Sequence, residues 1–493
     1  MRADRPTHWR ESLALFLLTA WPSWVVPVPP LQDLPNHLAS AFVQSHSALY
    51  PELVSNGFFK TNATLYLFLH LATAVVSPRV AAKIFVTLVC AVGAFAYPRA
   101  VRALGGNVHS ASFLLWPFVH DWFVAMGMLD WALAVPLALL VLAELGTRPV
   151  LAGALAVLVW YTHAFGVVMV GLLVGIEVLE TRAWRLLVPL APAFALTLWS
   201  VALQLGSETT AGGPALVFQT PLAILYGAWA EWLWSLSKWT IASLACALVL
   251  AYFGARRFRE ARPFFSPLAF GVLVLMCALV PYQWHHWYFV SSRVLPFAWM
   301  ACALRVPELP RWGKAALGAC ALSFSAGLGV EYVQNASVWT AFRRGEVAVP
   351  ERARLLPMIF DRKGPHGDNT WPMAHAWGLY VIDRETSAPL VFAHSRSFAV
   401  RYASEPPARF HGITLEYFPQ HMKTRRIYCD EHHVPDADCA RAYREAWSAF
   451  WADAAPRFDR VVTYGVTADA RAEIPPSFRV LFEEGETLVL GVR

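Results

Sequence analysis

Charge is the scarcest commodity in this 493-residue sequence: 15% of the residues are Asp, Glu, Lys or Arg, where soluble domains carry about 25%. With 57% apolar residues and a mean hydropathy of +0.43, a soluble globule of this size is excluded and lipid is the fitting solvent. Several chemical signatures are missing as well. There is no Walker-type phosphate loop, dinucleotide fingerprint, nucleophile elbow or His-Glu-x-x-His pair, so ATP-driven and serine-hydrolase readings lose their support. No internal repeat is visible, whereas secondary transporters usually carry one. The seven cysteines divide unevenly, with Cys90, Cys246, Cys277, Cys302 and Cys320 inside apolar runs, where a free thiol behaves as a small hydrophobe. Cys429 and Cys439 lie in a polar stretch and suit a disulfide facing an oxidising compartment, which requires Cα atoms within about 7 Å. Glu431-His432-His433 stands beside them, but the cysteine spacing is not that of a structural zinc site.

What is present divides the chain in two. Residues 11–340 hold long runs without charge, and residues 341–493 have ordinary soluble charge density. We expect a transmembrane region over 1–335 and a soluble, extracytoplasmic α/β domain over 336–493. Arg2, Arg5 and Arg10 precede the apolar run 12–28, which lacks a small-x-small cleavage pattern and reads as a retained first span. Crossing about 30 Å of hydrocarbon takes about 20 residues. Segments near 12–30, 80–98, 110–126, 129–146, 150–165, 166–181, 186–204, 239–255, 264–282, 290–305 and 314–331 meet that need, giving about eleven transmembrane helices. Two further apolar stretches, the short 64–77 and the Trp-rich 218–237, read as interfacial.

With those two lying flat outside, Arg99, Arg102, Arg148, Arg182, Arg185, Arg256, Arg257, Arg259, Arg262, Arg305, Arg311 and Lys314 fall on one side. The positive-inside rule makes that side cytoplasmic, together with the N-terminus, and an odd number of crossings puts the C-terminal domain outside. The net charge of +6 thus reports topology rather than nucleic-acid binding. The expected location is the bacterial cytoplasmic membrane.

The polar residues fitted for chemistry then gather at the outer face. They are Asp33 and His37 after the first span, His120, Asp121 and Asp130 between the third and fourth, His163 at the end of the fifth, and His285, His286 and Arg293 before the tenth. Each also has a structural reading. Asp33, followed by Pro35, suits a helix N-cap. Asp121 and Asp130 suit headgroup water, His163 suits a packed helix position, and Arg293 suits lipid phosphates. His285 and His286 are adjacent, so on a helix their rings point about 100° apart and do not easily share one ion.

This layout resembles the GT-C-type glycosyltransferases, membrane enzymes that use lipid-phosphate-linked sugars. The resemblance rests on Asp33 just after the first span, a second acid (Asp121, with Asp130 as the alternative) in the outer loop after the third, the stretch Gly127-Met-Leu-Asp-Trp-Ala-Leu-Ala-Val-Pro136, and Arg293 before Val-Leu-Pro-Phe. The doubled acidic signature common in the family's first loop is absent here, because Gln32 and Leu34 flank Asp33. The resemblance implies a helical membrane bundle and transfer of a sugar from a polyprenyl-phosphate donor to an acceptor at the outer face. It implies Asp33 as general base, with Asp121 as a second catalytic acid. Arg293 would bind the phosphate with help from His285 or His286, and His37 would orient the base or touch the donor. His120, Asp130 and His163 complete the expected substrate-binding set. No cofactor is expected, and dependence on a divalent cation stays open. The rival reading is a non-enzymatic lipid or polysaccharide transport or assembly protein.

Overall fold

The computed structural model describes residues 8–205, 216–284 and 287–492. Helices dominate the first two thirds: α1 (Trp9–Ala20), α2 (Leu34–Ser45), α3 (Thr64–Ala72), α4 (Pro78–Ala103), α5 (Val108–Ala111), α6 (Trp116–Val119), α7 (Trp122–Met126), α8 (Leu129–Leu145), α9 (Pro149–Thr162) and α10 (Ala164–Thr181). After them come α11 (Ala191–Leu205), α12 (Pro221–Ala230), α13 (Ser243–Arg256), α14 (Pro267–Leu279), α15 (Leu295–Ala303) and α16 (Arg311–Arg343), with the short antiparallel strands β2 (Leu216–Val217) and β3 (Gln283–Trp284) among them. Four stretches among the described residues, Pro78–Ala103, Ala164–Thr181, Trp184–Leu203 and Arg311–Ala348, are long and apolar enough to cross a membrane. Leu198, Val188 and Leu322 are among the large apolar side chains that stay exposed on them, as expected of surfaces that face lipid.

Several expected spans are shorter or broken. Segment 110–126 is not one helix: it is divided at Pro117 and again at Asp121, which caps α7. The apolar run 290–305 yields only the nine residues of α15, about 14 Å of helix. The nine residues of α3 are likewise too short to cross, in keeping with an interfacial position for that stretch. At the other extreme, the 33 residues of α16 extend about 50 Å, so one end outruns the hydrocarbon by about 20 Å.

The remainder of the chain rides on that protruding end. It contributes β4 (Leu355–Ile359), α17 (Gly378–Arg384), α18 (Gly412–His421), α19 (Arg425–Glu431), α20 (Asp436–Ala454), β6 (Arg460–Tyr464), β7 (Phe478–Glu484) and β8 (Thr487–Val492). The four strands form one sheet in the order β4-β6-β8-β7, parallel between β4 and β6 and antiparallel elsewhere. The β7–β8 hairpin turns at Gly485, whose φ of +55° suits glycine. Cys429 and Cys439 form a disulfide with Cα atoms 5.7 Å apart, tying α19 to α20.

Three devices join this part to the bundle. Strands β1 (Leu53–Ser55) and β5 (Val400–Tyr402) pair antiparallel across almost 350 residues of sequence. Asp383 on α17 bridges Arg79 at the start of α4 and Arg343 at the end of α16, the latter also held by Glu346. At Gly378 the backbone of α17 meets α2 so closely that a Cβ would stand 2.4 Å from the Pro35 carbonyl oxygen. Those contacts bring residues 370–417 over the start of α2, where the chemistry collects.

Candidate functional site

Asp33 occupies its place because two backbone segments interlock. The Asp33 amide donates to the Met126 carbonyl (2.9 Å) and the Gln32 amide to Ala125 (3.1 Å). Gly127 permits the approach: its φ is +79°, and a Cβ there would stand 2.9 Å from the Asp33 nitrogen and 2.8 Å from that of Leu34. Both the left-handed conformation and the close approach require glycine. Asp33 stands at the N-cap position of α2, yet its side chain makes no capping hydrogen bond. The carboxylate is therefore not spent on the helix, against the structural reading of that residue.

It faces a cavity of about 430 Å³ instead. Among the sequence-predicted residues, Asp33, His37, Asp130, His163 and Arg293 all line it. Asp121 and His120 do not. The Asp121 carboxylate caps α7 by accepting from the Val124 amide (2.9 Å), and His120 is engaged by Tyr332 Oη (2.8 Å) and Ser235 Oγ (3.4 Å). The expectation that Asp121 joins Asp33 is corrected accordingly, and the acid that shares the cavity is Asp130, which starts α8. One Asp130 oxygen accepts from the Leu65 amide at 2.9 Å. His285 and His286 lie outside the described residues.

Sequence reasoning missed the residues supplied by the C-terminal part. His375 Nε2 lies 3.3 Å from Asp33 Oδ1 and 3.9 Å from Glu416 Oε1. Asn36 settles which ring nitrogen carries the proton. Its Oδ1 accepts from the Phe392 amide (3.1 Å), so its Nδ2 points to the Leu390 carbonyl (3.0 Å) and to His375 Nδ1 (3.2 Å). A nitrogen that accepts must be unprotonated, and neutral His375 therefore carries its proton on Nε2, the nitrogen that lies 3.3 Å from Asp33 Oδ1. Gln32 donates to the same oxygen at 3.3 Å while its own carbonyl accepts from the Trp371 amide at 2.8 Å. The one signal for His375 was its place in Trp371-Pro-Met-Ala-His375-Ala-Trp377, a histidine among aromatics in an otherwise polar region.

Burial, with the nearby negative charge of Glu416, pushes the Asp33 carboxyl up to about 8, while the Gln32 hydrogen bond opposes the shift. Burial also raises Glu416, against the pull of Arg362. Both histidines are driven the other way, to about 3, by burial. His37 is lowered further by His375, and His375 by Arg362. The histidines are thus neutral near pH 7. His37 Nδ1 bonds Tyr66 Oη at 2.8 Å, and its ring meets Tyr66 and Phe392 edge-on.

Arg293 is the contrasting element. Its side chain is only 5% exposed, its Nε has no hydrogen-bond partner, and among the described residues no carboxylate pairs with it. A buried guanidinium without a counter-ion is costly, and an anionic ligand is what would relieve it. Trp131, Phe289, Trp371 and Tyr417 add aromatic faces to the same cavity. Among the described residues no three His, Cys, Asp or Glu side chains gather as a metal site.

No protein-family model and no curated protein matches the sequence. Two solved structures match the fold. ArnT from Cupriavidus metallidurans, in its apo state, aligns over 97% of this chain and 96% of its own, with 12% identity and a TM-score of 0.51. The arabinofuranosyltransferase AftD from mycobacteria aligns over 99% of this chain but 42% of its own, with 14% identity and a TM-score of 0.50. Both are GT-C glycosyltransferases. The chain has the GT-C fold, the fold of a multi-pass helical membrane protein.

Proposed function

We propose that this protein is a glycosyltransferase that moves a sugar from a polyprenyl-phosphate donor to an acceptor at the outer face of the cytoplasmic membrane. One observation carries the reading: a carboxylate at a helix start that does not cap its helix, and a buried arginine that pairs with no carboxylate among the described residues, line the same cavity. Transfer from a lipid phosphate needs those two groups. Asp33 takes the proton from the acceptor hydroxyl or amine, the acceptor atom bonds the anomeric carbon, and the bond from that carbon to the phosphate oxygen breaks with inversion. Arg293 binds the phosphate and stabilises the charge that grows as it leaves. Gln32 donates to Asp33, the His375 ring lies 3.3 Å from the same oxygen, and His37 with Tyr66 shapes the wall beside it. Asp130 takes the place of the second acid. The divalent cation stays outside this mechanism.

The proposal includes a multi-pass bundle with a cytoplasmic N-terminus and an extracytoplasmic C-terminal domain. The arginine-rich loops on one side support that orientation, and the 50 Å length of α16 supports a domain held clear of the lipid. The stack of Trp229, near the end of α12, on Trp234, with ring centroids 4.7 Å apart, suits an interfacial flank through which a lipid tail enters. Incubating the purified protein with a panel of polyprenyl-phosphate sugars tests the reading. Release of polyprenyl phosphate with at least one donor, in the presence of an envelope-lipid acceptor fraction, is the expected result.

A further inference from the structure

A second cavity of about 290 Å³ adjoins the first. Lys60 enters it from the loop after β1, Arg401 from β5 and Arg396 from the segment just before β5. Ser397 belongs to the walls of both cavities. Among the described residues no carboxylate lines this space, and neither Arg396 nor Arg401 is in an ion pair. Two exposed arginines and a lysine converge with no carboxylate among the described lining residues, which favours an anion there.

The surroundings say what kind of anion. One wall is Trp199 and Leu203 on α11, a helix whose Leu198 and Val201 are exposed and apolar, as lipid-facing residues are. Phe59, 70% exposed, flanks the same rim. A basic pocket with one apolar wall at the edge of a membrane helix matches the layer where lipid phosphates lie. Lys60 lies deepest. Burial lowers it to about 7, although Asp130 pulls the other way, and its Nζ donates only to the Phe398 carbonyl. Its ammonium also sits 5.7 Å from the ring of Tyr66, the residue that holds His37 in the first cavity. A group bound here would therefore stand next to the proposed transfer site.

We propose that this second cavity binds the phosphate of an anionic lipid, and that this lipid is the acceptor. The assignment to an acceptor rests on the transferase reading, whereas the binding itself does not. Lipid retention by the full-length protein in detergent, read by native mass spectrometry, separates the two. Phosphatidic acid supplies a lipid phosphate, phosphatidylcholine a zwitterionic control, and inorganic phosphate the soluble alternative. The wild type should hold phosphatidic acid about tenfold more tightly than R396Q/R401Q, with phosphatidylcholine binding the same in both. Both substituted side chains are exposed, so the variant should melt at the wild-type temperature. Asp33→Asn should retain the lipid as the wild type does. Equal retention by wild type and R396Q/R401Q would overturn the site. Inorganic phosphate that displaces phosphatidic acid from the wild type at comparable concentration would overturn the lipid as its ligand. Normal retention by a protein inactive with every donor would contradict the transferase reading and leave the lipid site standing.

Discussion

Two buried arginines stand at opposite ends of the same short helix, and the protein treats them in opposite ways. Arg305, just past the end of α15, is fully satisfied. Its guanidinium donates to the carbonyls of Arg257 (3.2 Å), Ala301 (2.9 Å), Phe258 (3.4 Å), Glu260 (2.7 Å) and Phe265 (2.8 Å), and it lies over the Phe270 ring at 4.8 Å. Among the described residues Arg293, just before α15, has no such cage, and its Nε is unpartnered. A caged cation pins loops together, while an uncaged one facing a cavity is stabilised only by something that comes to it. Identical chemistry and similar burial thus separate a structural role from a ligand-binding one.

The comparison can be broken by substitution. Arg305→Ala should have the largest effect, because it strands five carbonyls in a buried loop. We expect a loss of about 3 kcal/mol or more and a poor yield of folded protein, measured by thermal unfolding in detergent. Arg293→Gln should do the reverse. The melting temperature should stay equal or rise, while transfer falls by about 10²- to 10³-fold. If Arg293→Gln unfolds the protein as Arg305→Ala does, the contrast between the two residues is lost.

A smaller effect sharpens the account at the acid end of the cavity. The groups facing Asp33 are Glu416 from α18, with Arg362 beside it, neutral His375, neutral His37 and Gln32. The base form of Asp33 is its carboxylate, so transfer should rise with pH up to about 8. The like charge of Glu416 disfavours that carboxylate, and its removal lowers the Asp33 pKa. Glu416→Gln should therefore move the acidic limb of the pH–rate profile down by about one unit. An unmoved limb, or one moved upward, would mean that another group titrates.

Much of the cavity was legible in the sequence, and the reason is lipid. In an apolar setting a carboxylate, histidine or arginine at a span end stands out, and Asp33, His37, Asp130, His163 and Arg293 stood out in that way. The choice between Asp121 and Asp130 was harder to read, since both precede helices. Asp121 has the extended backbone and the amide three residues on that make a side-chain cap, while Asp130 starts its helix one residue further in. His375 and Glu416 were hidden for the opposite reason. They sit where polar residues are common, and the β1–β5 pairing, the Asp383 ion pairs and the Gly378–Pro35 approach bring them to Asp33. Helix breaks followed the same logic. Pro117 and the Asp121 cap divide a run whose hydropathy alone reads as one span.

The most direct test of the central claim compares wild type with Asp33→Asn in the release of polyprenyl phosphate from a polyprenyl-phosphate sugar. Asparagine keeps the shape and can still accept from Gln32 but cannot take a proton. The account predicts that release falls by about 10²- to 10⁴-fold while the melting temperature is held or raised, because a buried carboxyl has been replaced by a neutral group. Release by Asp33→Asn at the wild-type rate would contradict it.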